Sequence, residues 1–147
     1  MAVPTIFDEN YKFEIGKGVE LSDGTDVTLI GTGLMVPACN EAKEILAAEG
    51  ISARVINMAT IKPIDKEIII KAAKETGAIV TAEEHNVIGG LGSAVAEVLV
   101  ENAPVPMQRV GTQDVFGCSG TPYPLLEKYG LDAKTIAEKA KKAIAMK

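Results

Sequence analysis

Glu83-Glu84-His85-Asn86 is followed closely by Gly89-Gly90-Leu91-Gly92-Ser93, and this stretch holds the only histidine of the chain. Three kinds of chemistry suit such a group. An imidazole titrates near neutrality, so His85 is a candidate general base, with Glu83 and Glu84 placed to orient it or raise its pKa. A glycine-rich helix start presents free amides, so residues 89–93 are a candidate anion seat. Glycines also let a helix start pack closely against a strand or a second chain. Against the first reading, Ser93 is not on a nucleophile elbow and no clear nucleophile motif accompanies His85. Against the second, no Lys or Arg flanks the turn in sequence. The residues therefore favour a polar contact surface, and no residue is assigned as catalytic, cofactor-binding or metal-binding.

Other chemistry-bearing groups are thinner. Gly31-Thr32-Gly33 lies between a predicted strand and helix, but Val36 stands where a dinucleotide fingerprint needs its third glycine. No acidic residue ends the second strand, so the triplet reads as a tight turn. Arg109 and Asp114 read as a surface pair of little energetic weight. Cys118 lacks a histidine of its own to activate it. Cys39 and Cys118 are far apart and in no metal-ligand spacing, which suits two free thiols in a reducing compartment.

The elements that must position these groups follow from apolar periodicity. Residues 11–21 alternate at Tyr11, Phe13, Ile15, Val19 and Leu21 and predict an edge strand or hairpin arm, after an extended arm or linker over 1–10. Residues 26–30 and 53–58 predict buried strands, with a helix over 35–49 between them. Asp65 is a predicted N-cap for a helix ended by Gly77. Residues 78–82 predict the strand that carries Glu83 to Asn86 at its end, and the helix after Gly92 uses Val95, Val98 and Leu99. A strand over 107–110, a short helix over 123–129 and a helix from Asp132 to about residue 145 complete the chain. Alternating strands and helices imply right-handed βαβ units on a parallel sheet.

Composition bounds the function classes. The chain has 147 residues, enough for a single core, with 47% hydrophobic residues and no tryptophan. The formal net charge of −5 argues against a nucleic-acid partner, because phosphate neutralisation needs a basic surface. No apolar run approaches the ~18 residues that suggest a membrane span. The N-terminus lacks a signal-peptide pattern, which leads to an expected cytoplasmic location.

Several motifs in order resemble the C-terminal domain of transketolase, within the thiamine-diphosphate superfamily. They are Ile61-Lys62-Pro63-Ile64-Asp65, Thr81 to His85, Gly89 to Glu97, and Arg109-Val110-Gly111 with Asp114, Phe116 and Ser119-Gly120. Leu125-Leu126, Tyr129-Gly130-Leu131 and the closing helix continue the likeness, which covers residues 11–147. The stretch from Gly117 to Leu131 is closer to transketolase than to the β subunit of a 2-oxo-acid dehydrogenase E1, which is kept as an alternative.

The resemblance implies a three-layer α/β/α fold with a five-stranded mixed sheet, its first strand antiparallel to the rest. It implies two-carbon ketol transfer between sugar phosphates by the complete enzyme. Thiamine diphosphate and magnesium are then bound by diphosphate-binding and pyrimidine-binding domains. This sequence has no Gly-Asp-Gly metal motif, so none of those residues carries over. A structural and dimer-assembly role does, onto Glu84, His85, Ile88, Gly89, Gly90, Leu91, Gly92 and Ser93, in a homo-oligomer. A stand-alone small-ligand or anion-binding module is the rival expectation. The linker-like 1–10 favours a fragment of a longer enzyme, and the initiator-like Met1-Ala2 allows a separate section of a split one.

Overall fold

The central strands are buried on both sides because a helical layer covers each face of the sheet. In the computed structural model, which describes residues 4–147, the strands are β1 (Val19–Ser22), β2 (Val27–Gly31), β3 (Ala53–Asn57), β4 (Ile79–Asn86) and β5 (Met107–Thr112). The helices are α1 (Met35–Ala48), α2 (Lys66–Thr76), α3 (Leu91–Asn102), α4 (Pro122–Lys128) and α5 (Ala133–Ile144). The sheet order is β1-β3-β2-β4-β5. β1 runs antiparallel to β3, with a register break between Glu20 and Ser22, and the remaining pairs are parallel. This is the expected five-stranded mixed sheet with an antiparallel first strand.

The pleat sorts side chains between two cores. Val27, Leu29, Val55, Val80 and Ala82 meet α1 and α5, with Leu46, Ile136 and Ala140 at the centre. Ile30, Ile56 and Ile79 meet α2 and α3, through Ile69, Leu91 and Val95. On the second face Thr28 Oγ1 bonds Thr76 Oγ1 at 2.9 Å, which joins β2 to the end of α2. Asp65 caps α2 as expected: its Oδ1 accepts from Ile68 N at 3.2 Å and its Oδ2 from Gly18 N at 3.0 Å. Asp132 caps α5 through Thr135 N at 2.7 Å.

Two expectations need correction. The alternation over 11–21 makes a strand only from Val19. Gly16 takes φ +82°, and its amide bonds Thr60 Oγ1 at 2.9 Å, so the chain turns where a longer strand would pair. Phe13 and Ile15 are left 58% and 69% exposed. The strand before the glycine cluster is longer than expected, because β4 runs on to Asn86 beside Thr112 after a register shift past Ala82. Residues 4–10 form no helix or strand, and Met1-Ala2 lies outside the described residues.

Candidate functional site

The chain leaves β2 toward β3 on one side and returns to β4 on the other, so the sheet's winding reverses between the carboxyl ends of β2 and β4. Crevices form at such reversals. Here one of about 440 Å³ is lined by Thr32, Gly33 and Leu34 after β2, Ile61, Glu83 to His85 at the end of β4, and Gly89-Gly90. On the other side of Glu84 and His85 a second depression is lined by Thr112, Gly120, Leu125 and Tyr129, among others. Glu84 and His85 thus form a ridge between two hollows.

Strand register separates the four polar residues at the end of β4. Glu83 shares the face of Ile79 and points at α3. It is 1% exposed, and its carboxylate accepts from Leu91 N at 2.7 Å and Gly92 N at 2.9 Å. His85 Nδ1 lies 3.9 Å from Glu83 Oε2 but bonds Asn86 O at 2.8 Å. A carbonyl only accepts, so Nδ1 carries the hydrogen of that bond. Of the two carboxylates that could orient the imidazole, Glu83 has both oxygens on the start of α3.

The turn between β4 and α3 is fastened from several directions. Asn86 Oδ1 accepts from Ile88 N at 2.8 Å, and Asn86 Nδ2 donates to Asp114 Oδ1 at 2.8 Å. Ser93 Oγ accepts from Gly89 N at 2.9 Å. Arg109 Nη1 donates to Val87 O at 2.7 Å. Arg109 and Asp114, expected as a surface pair, instead each hold this turn. Glu84, His85, Ile88 and Gly89 are exposed, and Ser93 is half-buried. Gly90, Leu91 and Gly92 are buried, and the Leu91 side chain belongs to the core under the sheet. The outward part of the expected surface is therefore Glu84, His85, Ile88, Gly89 and Ser93, with Ile88 63% exposed.

The two cysteines are free, and their environments differ. Cys39 is buried in the core, and burial pushes its pKa up to about 12. Cys118 is exposed. The Tyr129 hydroxyl at 3.4 Å and the Lys128 ammonium at 3.1 Å hold its pKa below the ordinary thiol value. Among the described residues, no group of three or more His, Cys, Asp or Glu side chains could hold a metal ion.

The profile of the family described as "Transketolase, C-terminal domain" matches residues 16–136. The chain belongs to that family. This transketolase C-terminal domain is 51% identical over 135 residues to a 6-deoxy-6-sulfo-D-fructose transketolase subunit of Clostridium sp., covering 92% of this chain and 42% of the relative. It is 52% identical over 133 residues to a putative transketolase C-terminal section of Methanocaldococcus jannaschii, covering 90% of this chain and 41% of the relative. A 1-deoxy-D-xylulose-5-phosphate synthase of Heliobacterium modesticaldum matches at 44% over 138 residues, 93% of this chain and 21% of the synthase. A solved structure titled "Split gene transketolase, inactive beta4 tetramer" superposes with a TM-score of 0.96 at 52% identity, over 99% of this domain and 48% of that chain. The domain thus spans less than half the length of the relatives it matches.

Sequence reasoning missed Glu83 as the residue that starts α3. The signal was present: Ile79 and Glu83 share a face at period two, and that face points toward the helix that begins eight residues after Glu83.

Proposed function

We propose that this transketolase C-terminal domain is the structural, assembly-forming part of a thiamine-diphosphate-dependent transketolase and supplies no catalytic group itself. The complete enzyme moves a two-carbon ketol unit between sugar phosphates. Its pyrimidine-binding and diphosphate-binding domains hold thiamine diphosphate and magnesium. They are this domain's partners, within a cytoplasmic homo-oligomer.

The observation that carries this reading is the turn over Glu84 to Gly89. A turn fastened by hydrogen bonds presents an exposed Ile88, and Glu84 and His85 at its start line two hollows, in a chain that spans less than half of its relatives. Fastened turns with an apolar tip suit a partner surface, because little conformational freedom remains to be lost on docking. The relatives also support it. Domains this similar occur in proteins named for different reactions, a sulfosugar transketolase and a deoxyxylulose-phosphate synthase. A domain shared between two reactions is a poor place to encode either.

The crevice fits a diphosphate badly. No lysine or arginine lines it, and the first amides of α3 already bond Glu83. The commitment of those amides to Glu83 also weighs against the rival anion-binding module, whose cations would have to come from Lys62 and Lys66 in a separate hollow beside Gly89, Gly90 and Ser93. Isothermal titration of the domain with thiamine diphosphate and Mg²⁺ is expected to give no heat of binding. Mixing with the diphosphate- and pyrimidine-binding section is expected to give ketol transfer that neither part shows alone. Micromolar cofactor binding by the domain alone would overturn the reading.

A further inference from the structure

We infer that the N-terminal end of α3 is an anion seat filled by the chain's own Glu83, and that shortening Glu83 opens this seat to a small carboxylate. The helices differ in how they begin. α2 and α5 use Asp65 and Asp132, each directly before its first turn. α3 begins after Gly90, which has no side chain, and carries no acidic residue in its first turn. Its positive end is met instead from the neighbouring strand. Glu83 Oε2 takes Leu91 N and Oε1 takes Gly92 N, so both oxygens lie on consecutive amides, as a bound carboxylate would.

The seat is shaped for this group. A Cβ at Gly90 would lie 1.9 Å from Glu83 Oε2 and 2.7 Å from its Cδ, so position 90 has space for a hydrogen only. Among the described residues no lysine or arginine pairs with Glu83, and its one ion-pair neighbour is His85 at 3.9 Å. A carboxylate that is 1% exposed needs a compensating field, and the α3 amides provide it. Wild-type protein therefore has no vacancy here for a phosphate or a substrate carboxylate. Removing the Glu83 side chain beyond Cβ leaves two N–H groups facing a void about the size of acetate, which formate can enter. The inference does not depend on what covers the outer face of the turn.

The test is thermal unfolding of wild type, Glu83→Ala, Glu83→Gln and the double variant Glu83→Ala/Gly90→Ala. Each is titrated with sodium formate and with sodium chloride at equal ionic strength. Glu83→Ala is expected to lose roughly 10 °C in Tm, since two buried donors lose their partner. Formate then restores a large part of that loss with a saturable midpoint, and chloride does not. Wild type responds equally to both salts. Glu83→Gln is destabilised, because its amide turns an NH₂ toward one of the two donors, and formate does not rescue it, because the seat remains filled. In the double variant the new methyl occupies the seat and the formate response disappears. If Glu83→Ala is unfolded in plain buffer, the same titration reads recovery of far-UV circular dichroism. A Glu83→Ala protein that formate treats like chloride overturns the inference. So does a Glu83→Gln protein as stable as wild type.

Discussion

Gly89 and Gly90 are neighbours with opposite constraints. Gly89 has open space around a would-be Cβ but takes φ +81°, whereas Gly90 is blocked by Glu83. Gly89→Ala should cost about 1 kcal/mol from the left-handed backbone alone. Gly90→Ala should cost about 3 kcal/mol, because the methyl displaces a buried carboxylate from its donors. Urea unfolding of the two variants checks the order, and equal costs would contradict it. The cysteines give a second contrast. Cys118 should react with a disulfide reagent in the native protein, and Cys39 only on unfolding. Lys128→Met should shift the pH profile of Cys118 labelling upward by removing one of the groups that stabilises its thiolate. At the edge of the sheet Asp23 has its pKa lowered by the Gly24 amide and then by Arg54. Its carboxylate stabilises the fold fully above the ordinary value of 3.8, and that contribution is lost as pH falls through the lowered folded value. Asp23→Asn should therefore narrow the wild-type-minus-variant difference at acid pH, read by urea midpoints between about pH 5 and pH 2.

At the level of elements, Asp65 works twice, for α2 and for the chain entering β1. Asp65→Ala should cost about 2 kcal/mol, more than a simple cap, because the Gly18 amide loses its acceptor as well. Restoring the cap with Asn should recover most of it, again by urea unfolding. Both caps were legible in the sequence, since an Asp before a helical period is a local signal. The helices and central strands were legible for the same reason: their apolar patterns are local. What the sequence did not disclose depends on contacts between distant residues. Tyr11, Phe13 and Ile15 alternate like a strand, yet the Gly16 and Gly18 amides go to Thr60 and Asp65 and no ladder forms there. Arg109 and Asp114 looked like partners because they are near in sequence. Across space, Arg109 holds Val87 and Asp114 holds Asn86. In the candidate surface, Ile88 is exposed, whereas Leu91, three residues on, faces the core.

On the scale of the whole molecule, apolar side chains that face solvent gather on loops. Ile88 is 63% exposed on the β4–α3 turn, and Phe116 is fully exposed on the segment between β5 and α4. Ile88→Asp should leave the far-UV circular dichroism unchanged and weaken both self-association and assembly with the proposed partner domains. Sedimentation velocity decides it: a wild type that stays monomeric at high concentration, or a variant that unfolds, would place the contact elsewhere. The break in register between Glu20 and Ser22 bears on what such association can become. β1 is four residues long, and its ladder with β3 is irregular there. A strand edge that short and bent is a poor template for another strand. Crowding at this border of the sheet should not propagate by adding strands, so a fibre grown from the folded domain would have to extend from the opposite edge, β5.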